Sequence, residues 1–365
     1  MFSDTDFICS YSEIKPQKGS FTFSAPSNIA LVKYWGKIET NGAEQIPANP
    51  SLSFTLNKCK TVTTLAFEPK NNSENITFDL FFEGKPREDF KPKIAKFLER
   101  ITKYCAFLKQ FHLVIKTENT FPHSSGIASS ASGMAALAIN IMALERQLFP
   151  TISDSYYFAK ASFLARLGSG SACRSIQNSV VIWGKHADFT ESSDLYGISF
   201  PSELHANFTN FQDTILLVDK GEKQVSSTVG HNLMHNHPFA KERFSQAHKN
   251  VSELNFILKN GNLNSFTELV ESEALTLHAM MMTSNPYFIL MKPNTLEIIN
   301  AIWNFRKITN IPVCFTLDAG ANVHVLYPKS VKTEVLKFIQ SDLIGYCKNG
   351  EYICDGLGFG IHQIK

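Results

Sequence analysis

The chain has 365 residues, 44% of them hydrophobic and 19% charged, which is the balance of an ordinary globular protein and excludes disorder, collagen-like repeats and a small disulfide scaffold. With 35 Lys and Arg against 33 Asp and Glu, the net charge of +2 is too mild for a nucleic-acid surface, which needs basic residues gathered on one face; any anion site must be local. The seven cysteines (Cys9, Cys59, Cys105, Cys173, Cys314, Cys347 and Cys354) are odd in number and scattered, a pattern that fits reduced thiols in a cytosol.

In chain order, Met1 to Lys15 carries Asp4, Asp6 and Glu13 without a basic or apolar leader, so no secretory signal is expected. Gly19 to Ser24, Leu52 to Leu56, Thr61 to Phe67 and Asn75 to Phe82 have strand composition. Lys91 to Leu108 sets Ile94, Phe97, Leu98, Ile101 and Cys105 near helical spacing, and Phe111 to Thr117 returns to a strand. A polar turn follows Pro122. Ser130 to Gln147 then places Met134, Leu137, Ile141 and Leu144 three and four apart, the mark of a packed helix. Ile127 to Leu144 is apolar enough to suggest a membrane span, but Ser129, Ser130, Ser132 and Asn140 interrupt it. Beyond Asn207 the pattern restarts with a strand at Asp213 to Asp219, helices over Phe239 to Lys259, Leu263 to Met282 and Pro293 to Ile308, and strands at Val313 to Leu317 and Val323 to Tyr327. The length predicts two lobes, here residues 1–207 and 208–365. The absence of a low-complexity linker predicts a rigid cleft between them.

The strongest anion signal is Pro122-His123-Ser124-Ser125-Gly126-Ile127-Ala128-Ser129-Ser130-Ala131, a small-residue loop entering a helix. Small side chains let the backbone approach phosphate, Gly126 permits an unusual backbone angle, and Ser129 and Ser130 add hydroxyls to the N–H groups of the helix start. Composition alone fits a serine N-cap equally well. No Gly-Lys-Ser or Gly-Lys-Thr follows, so this is not a Walker loop. It resembles the phosphate loop of the galactokinase, homoserine kinase, mevalonate kinase and phosphomevalonate kinase (GHMP) superfamily.

Two further segments narrow the resemblance. Ala25 to Lys37 (APSNIALVKYWGK) gathers Asn28, Lys33, Tyr34 and Lys37; two lysines four apart are by themselves usually a solvated face, but this string resembles the N-terminal signature of the diphosphomevalonate decarboxylase family. Gly168 to Ser175 (GSGSACRS) sets Ser169, Gly170 and Ser171 before Arg174, whose planar fork suits a carboxylate; a structural salt bridge is the plain alternative. Related kinases bear a catalytic aspartate in this region, whereas the version ending in Cys-Arg resembles the decarboxylases. Asp318, in Leu317-Asp318-Ala319-Gly320-Ala321-Asn322, reads from turn chemistry alone as an Asp closing a turn, yet the family carries its catalytic aspartate in a matching Asp-Ala-Gly sequence. Asn49 to Leu56 and Val225 to Gly230 resemble cleft-lining family segments less specifically.

The resemblance spans Ala25 to Asn322. It implies an α+β, two-lobed GHMP-kinase-like fold, with a ribosomal-protein-S5-like N-terminal lobe, a ferredoxin-like C-terminal lobe and the active site between them. It implies a cytoplasmic homodimer that uses ATP and Mg2+ to phosphorylate and decarboxylate mevalonate 5-diphosphate. Asp318, Lys33, Ser130, Arg174 and Asn28 would be catalytic. Tyr34, Lys37, Ser169, Gly170, Ser171, Arg174, Ser227 and Thr228 would hold substrate, and Ser124, Ser125, Gly126, Ile127, Ala128, Ser129 and Ser130 would hold ATP; no carboxylate is named for the metal. Bacterial relatives often carry Arg at position 228 and Met at 231, where this chain has Thr228 and His231. That difference leaves open a paralogue acting on the 5-monophosphate or phosphorylating C3 alone. A silent nucleotide-binding regulator would have lost Asp318, Arg174 or Ser130, and all three are present. His231, His235 and His237 have a spacing that could serve zinc, but the only carboxylate near them in sequence is Glu242, so exposed histidines on a loop and helix start are expected.

Overall fold

The computed structural model describes residues 1–9, 14–38, 44–71, 74–122, 127–219 and 227–365, with the backbone alone at Ser227 and Thr228. Its first sheet is built on two long strands, β1 (Gly19–Val32) and β2 (Ser51–Pro69), antiparallel from Gly19 opposite Phe67 to Val32 opposite Leu52. Along β2, Cys59, Thr61, Thr63, Leu65 and Phe67 are buried in strict alternation, the period that puts every second side chain on one face. The two strands expected at Leu52 to Leu56 and Thr61 to Phe67 are thus one, joined across the exposed Asn57 and Lys58. The Asp355 carboxylate holds that joint by accepting the N–H groups of Asn57, Lys58 and Cys59 at 2.9, 2.8 and 2.7 Å. Register between β1 and β2 shifts at Pro26/Asn28 and at Ala30/Val32, irregularities of the kind that re-aim side chains beside sites.

β3 (Thr77–Phe82) leads through helix α1 (Lys91–Ile101) to β4 (Phe111–Asn119), which pairs parallel with β3 and antiparallel with β2. Helix α1 stops short of the expected Leu108 because Cys105 leaves helical backbone at φ −135°, ψ 47°; Phe107 and Leu108 reach the core from a tight turn instead. Helices α2 (Ser129–Leu148) and α3 (Asp154–Gly168) supply the core over this sheet, and β5 (Val180–Trp183) pairs with the start of β2.

Next come β6 (Gln212–Leu216), α4 (Ser227–Asn232), α5 (Ala240–Asn260), α6 (Leu263–Met282), α7 (Pro293–Thr309), β7 (Cys314–Leu317), β8 (Val323–Tyr327) and β9 (Tyr352–Gly356). The second sheet runs β9-β6-β8-β7, antiparallel throughout. A last strand, β10 (His362–Gln363), returns to pair with β1. Ile29, Leu31, Leu52 and Phe54 of the first sheet share one buried cluster with Phe208, Ile215, Val251, Leu254 and Phe266. The cleft between the two halves therefore stands on a continuous hydrophobic core. Among the described residues no helix is long and apolar enough to cross a membrane.

Candidate active site

A cavity of about 300 Å³ opens where the two sheets meet. Lys33, Tyr34 and Lys37 enter it from the end of β1, Ala128 and Ser130 from the start of α2, Ser169, Gly170, Ser171 and Arg174 from the turn after α3, His231 from α4, and Asp318 from the loop after β7. Residues from four separate stretches that the sequence analysis singled out thus meet in one space. Its described walls carry four cations (Lys33, Lys37, Lys93 and Arg174) against the single carboxylate of Asp318, which suits a multiply charged anion.

The start of α2 is built for such a ligand. Its N-cap is Ala128, held in the left-handed region at φ 43°, ψ 38°, and among the described residues no side chain caps the helix. Ser129 and Ser130 do not stand at the cap position, since both already lie inside the helix. Among the described residues nothing accepts the N–H groups of Ser129 and Ser130 at the start of this 20-residue helix, the place where an anion binds well, and a non-glycine in the conformation of Ala128 costs about 1–2 kcal/mol. Ser130 Oγ lies 3.4 Å from Ser169 Oγ across the cleft, while Ile127 turns into the core. Ser124, Ser125 and Gly126 lie outside the described residues, as do the side chains of Ser227 and Thr228.

Arg174 is buried, yet among the described residues it pairs with no carboxylate; neutral acceptors orient it. Its Nη1 donates to Ser51 Oγ at 2.7 Å and its Nε to Asn28 Oδ1 at 3.3 Å. Asn28 lies behind the cavity wall and is fixed by its own donations to Ser171 O (3.2 Å) and Ser175 Oγ (2.8 Å). A guanidinium held this way keeps its charge for a ligand, although burial pulls its pKa below the ordinary value. Tyr34 Oη is buried without a hydrogen-bond partner, and burial pushes the phenol's pKa upward, so it enters the site as a neutral donor. Gly170 has no room for a side chain, since a Cβ there would stand 2.9 Å from that oxygen.

At the centre, Lys33 Nζ is 3.3 Å from Asp318 Oδ1. Lys33 is only 1% accessible, whereas the Asp318 side chain is 29% accessible and faces the cavity. Burial pulls the lysine's pKa down and the charges of Asp318 and Glu273 push it back up. The main chain of Lys33 is clamped by residues of both lobes. Its N–H donates to Glu273 Oε2 (2.9 Å), and its carbonyl accepts from Asn49 Nδ2 (2.9 Å) and Arg243 Nη2 (3.0 Å). Arg243 and Glu273 form a two-pronged pair at 2.9 and 2.6 Å with both side chains fully buried. Asn250 Nδ2 also donates to Glu273. Five residues further along α6, His278 Nε2 lies 3.2 Å from the Asp318 carbonyl oxygen. A carbonyl only accepts, so the ring carries its proton on Nε2; burial lowers its pKa to about 4 and keeps it neutral. One helix therefore references both members of the Lys33–Asp318 pair.

Sequence reasoning missed Glu273, Arg243 and His278, gave Asn49 only as the start of a cleft-lining segment, and missed Lys93 and Gln45 in the cavity wall. The available signal was polar: Glu271, Glu273 and His278 punctuate a helix whose other buried residues are mostly apolar. The histidines need a correction. His231 and His237 are buried, and only His235 is exposed, because His231 packs between Tyr34 and Trp35 and His237 Nε2 bonds the Met280 carbonyl. Among the described residues no three His, Cys, Asp or Glu side chains converge as metal ligands.

Two α+β lobes, a helix start without a described side-chain cap at a cation-lined cleft, and a buried lysine facing a carboxylate define an enzyme of the small-molecule GHMP-kinase fold. Residues 25–194 match the family model described as diphosphomevalonate decarboxylase-like N-terminal domain, and residues 214–357 match mevalonate 5-diphosphate decarboxylase C-terminal domain. The chain belongs to the diphosphomevalonate decarboxylase family. It is 30% identical over 331 residues to the diphosphomevalonate decarboxylase of Debaryomyces hansenii, covering 87% of this chain and 81% of that one. Among solved structures it superposes on the mevalonate diphosphate decarboxylase of Staphylococcus aureus with TM-score 0.80 at 27% identity, covering 96% and 99% of the two chains. It superposes equally, at TM-score 0.80 and 28% identity over 96% of this chain and 100% of the other, on a complex described as MDDEF with MVAPP, AMPPCP and magnesium.

Proposed function

We infer that the protein is a diphosphomevalonate decarboxylase, converting mevalonate 5-diphosphate and ATP into isopentenyl diphosphate, ADP, phosphate and CO2. The observation that carries this reading is the Lys33–Asp318 pair standing in a cation-lined cleft opposite the uncapped start of α2. In this reading residues 1–207 form the nucleotide lobe and residues 208–365 the lobe that brings the acid. The enzyme works in the cytoplasm as a homodimer.

The chemistry needs a hindered tertiary hydroxyl placed in line with the γ-phosphate, and then a stabilised cation-like carbon as phosphate departs. The Asp318 carboxylate accepts the proton of the C3 hydroxyl as its oxygen bonds the γ-phosphorus and the bond to ADP breaks. The C3–O bond then breaks with its electrons leaving on phosphate, the C1–C2 electrons become the C2–C3 double bond, and CO2 departs. Asp318 faces the positive charge that develops at C3, and the ammonium of Lys33 holds that carboxylate ionised and in place. Arg174, oriented by Asn28, takes the substrate carboxylate; Tyr34, Lys37, Ser169, Gly170 and Ser171, with Ser227 and Thr228, take the diphosphate. Ser124 to Ser130 cradle the nucleotide phosphates. With one carboxylate in the described walls, the donor set fits Mg2+ carried mainly by phosphate oxygens and water, with Asp318 and Ser130 as the protein oxygens nearest at hand. Bound there, the ion neutralises phosphate charge.

The test is a parallel assay of CO2 and ADP release from mevalonate, its 5-phosphate and its 5-diphosphate. The expected result is stoichiometric CO2 and ADP from the diphosphate with little turnover of the other two. Equal kcat/KM for the monophosphate, or ADP without CO2, would reassign the substrate or the reaction.

A further inference from the structure

His231 is 6% accessible and sits in the cavity wall with its ring against two aromatic side chains, 4.2 Å from the Tyr34 centroid and 4.7 Å from that of Trp35. Its position is fixed from both sides. Gly230 presses on Trp35 so closely that a Cβ there would meet the indole at 2.5 Å. Gly36, at φ +103° where an L side chain is strained, turns its N–H onto His231 Nδ1 at 3.0 Å. A backbone N–H can only donate, so Nδ1 is an acceptor and the neutral ring carries its proton on Nε2. Burial, with Lys37 and Arg174 nearby, pushes the ring's pKa well below its ordinary value. Among the described residues Nε2 has no partner, and because His231 lines the cavity its proton is left to water or a ligand. The Tyr34 hydroxyl, equally without a partner, belongs to the ring stacked on it.

We propose that His231 donates its Nε2–H to a phosphate oxygen of the bound substrate, as a neutral donor beside Tyr34 and Lys37. The proposal rests on the function inferred above. The chemistry selects the ligand class. At Nε2 the ring offers a donor and no acceptor, with the cations of Lys37 and Arg174 acting on it, and an anionic phosphate oxygen satisfies both conditions where a substrate hydroxyl or amine does not.

Two variants of the full chain test it: His231→Met, of similar bulk without an N–H, and His231→Gln, which keeps a donor at similar reach. The readouts are kcat and KM for mevalonate 5-diphosphate, KM for ATP, the thermal midpoint, and the Kd of inorganic pyrophosphate by calorimetry with the nucleotide site saturated by ADP. His231→Met should raise the substrate KM and the pyrophosphate Kd about tenfold, as expected for one lost hydrogen bond to a charged group. Its kcat and ATP KM should stay within about twofold, and His231→Gln should recover most of the loss. Unchanged KM and Kd in a folded Met variant, or a Gln variant as weak as Met at an unaltered midpoint, would mean that the ring only packs between its aromatic neighbours. If the unaltered protein releases no CO2 from any of the acids, the proposed function falls, while the pyrophosphate comparison still decides the role of His231.

Discussion

Replacing Glu273 by glutamine changes one atom and removes the charge on which both Arg243 and the backbone of Lys33 depend. Arg243 would be left as a fully buried cation, and breaking a buried pair from one side typically costs about 3–5 kcal/mol, a large part of the roughly 5–15 kcal/mol that holds a domain folded. The amide can still accept the Lys33 N–H, so the position of Lys33 should survive better than its charge. Glu273 raises the pKa of Lys33 against a dominant burial effect. Without it the lysine deprotonates at lower pH, and the alkaline limb of kcat/KM should move to lower pH. The stability effect is best read as a cycle of Glu273→Gln, Arg243→Gln and the double variant by urea unfolding. If the pair is the brace described here, the double variant should lose at least about 2 kcal/mol less than the sum of the singles. Additive losses, or a Glu273→Gln protein with an unchanged urea midpoint and pH profile, would refute the idea that α6 sets the lysine's place and charge.

Other predictions follow from the same geometry. Asp318→Asn should lower kcat by about 10²–10⁴, the range of a lost general base, with ATP affinity measured by calorimetry nearly intact; near-normal turnover would remove Asp318 from the chemistry. Arg174→Ala should cost about 1.5–3 kcal/mol in kcat/KM for the acid, as a charged hydrogen-bonded contact does, with ATP KM little changed. His278 titrates near its ordinary 6.5 when unfolded and near 4 when folded, so the native state binds fewer protons between these values. Its contribution is therefore complete above about pH 6.5 and is lost as pH falls toward 4, by up to about 3 kcal/mol. His278→Gln, which keeps a donor for the Asp318 carbonyl, should flatten the fall in urea midpoint between pH 7 and 4.5 relative to the unaltered protein; an equally steep fall would place the acid sensitivity elsewhere.

Most elements with a clean period were legible in the sequence. Helices α2, α5, α6 and α7 begin and end within a residue or two of their expected bounds because their apolar stripes are long. Helix α3 went unread because it is buried nearly all round and its charged Lys160 and Arg166, which periodicity assigns to solvent, lie inside. Lys160 is neutralised by Glu145 in a pair at zero exposure, and Arg166 donates to the carbonyls of Leu195 and Glu44. Partners more than ten residues away in the chain are invisible to a pattern read in local windows.

The same distinction governs the site. Groups that face a ligand came from compact strings, because a loop or strand end that must approach phosphate constrains its own neighbours: Lys33 to Lys37, Gly168 to Arg174 and the start of α2. Groups that hold those strings in place came from elsewhere, and their one local sign is a polar residue among the apolar buried positions of a helix. Glu273 reaches Lys33 across 240 positions and His278 reaches Asp318 across 40. Asp318 itself became recognisable only through its neighbours Ala319 and Gly320, since an aspartate after a strand is ordinary turn chemistry. The proposed reaction, which draws on a lysine from one lobe and a carboxylate from the other at 3.3 Å, cannot tolerate the lobes sliding. That demand is met by the continuous core beneath the cleft and by the polar edge of α6 above it. The Lys33–Asp318 pair should therefore be more sensitive to substitutions along that edge than to changes of equal size on the exposed rim of the cavity.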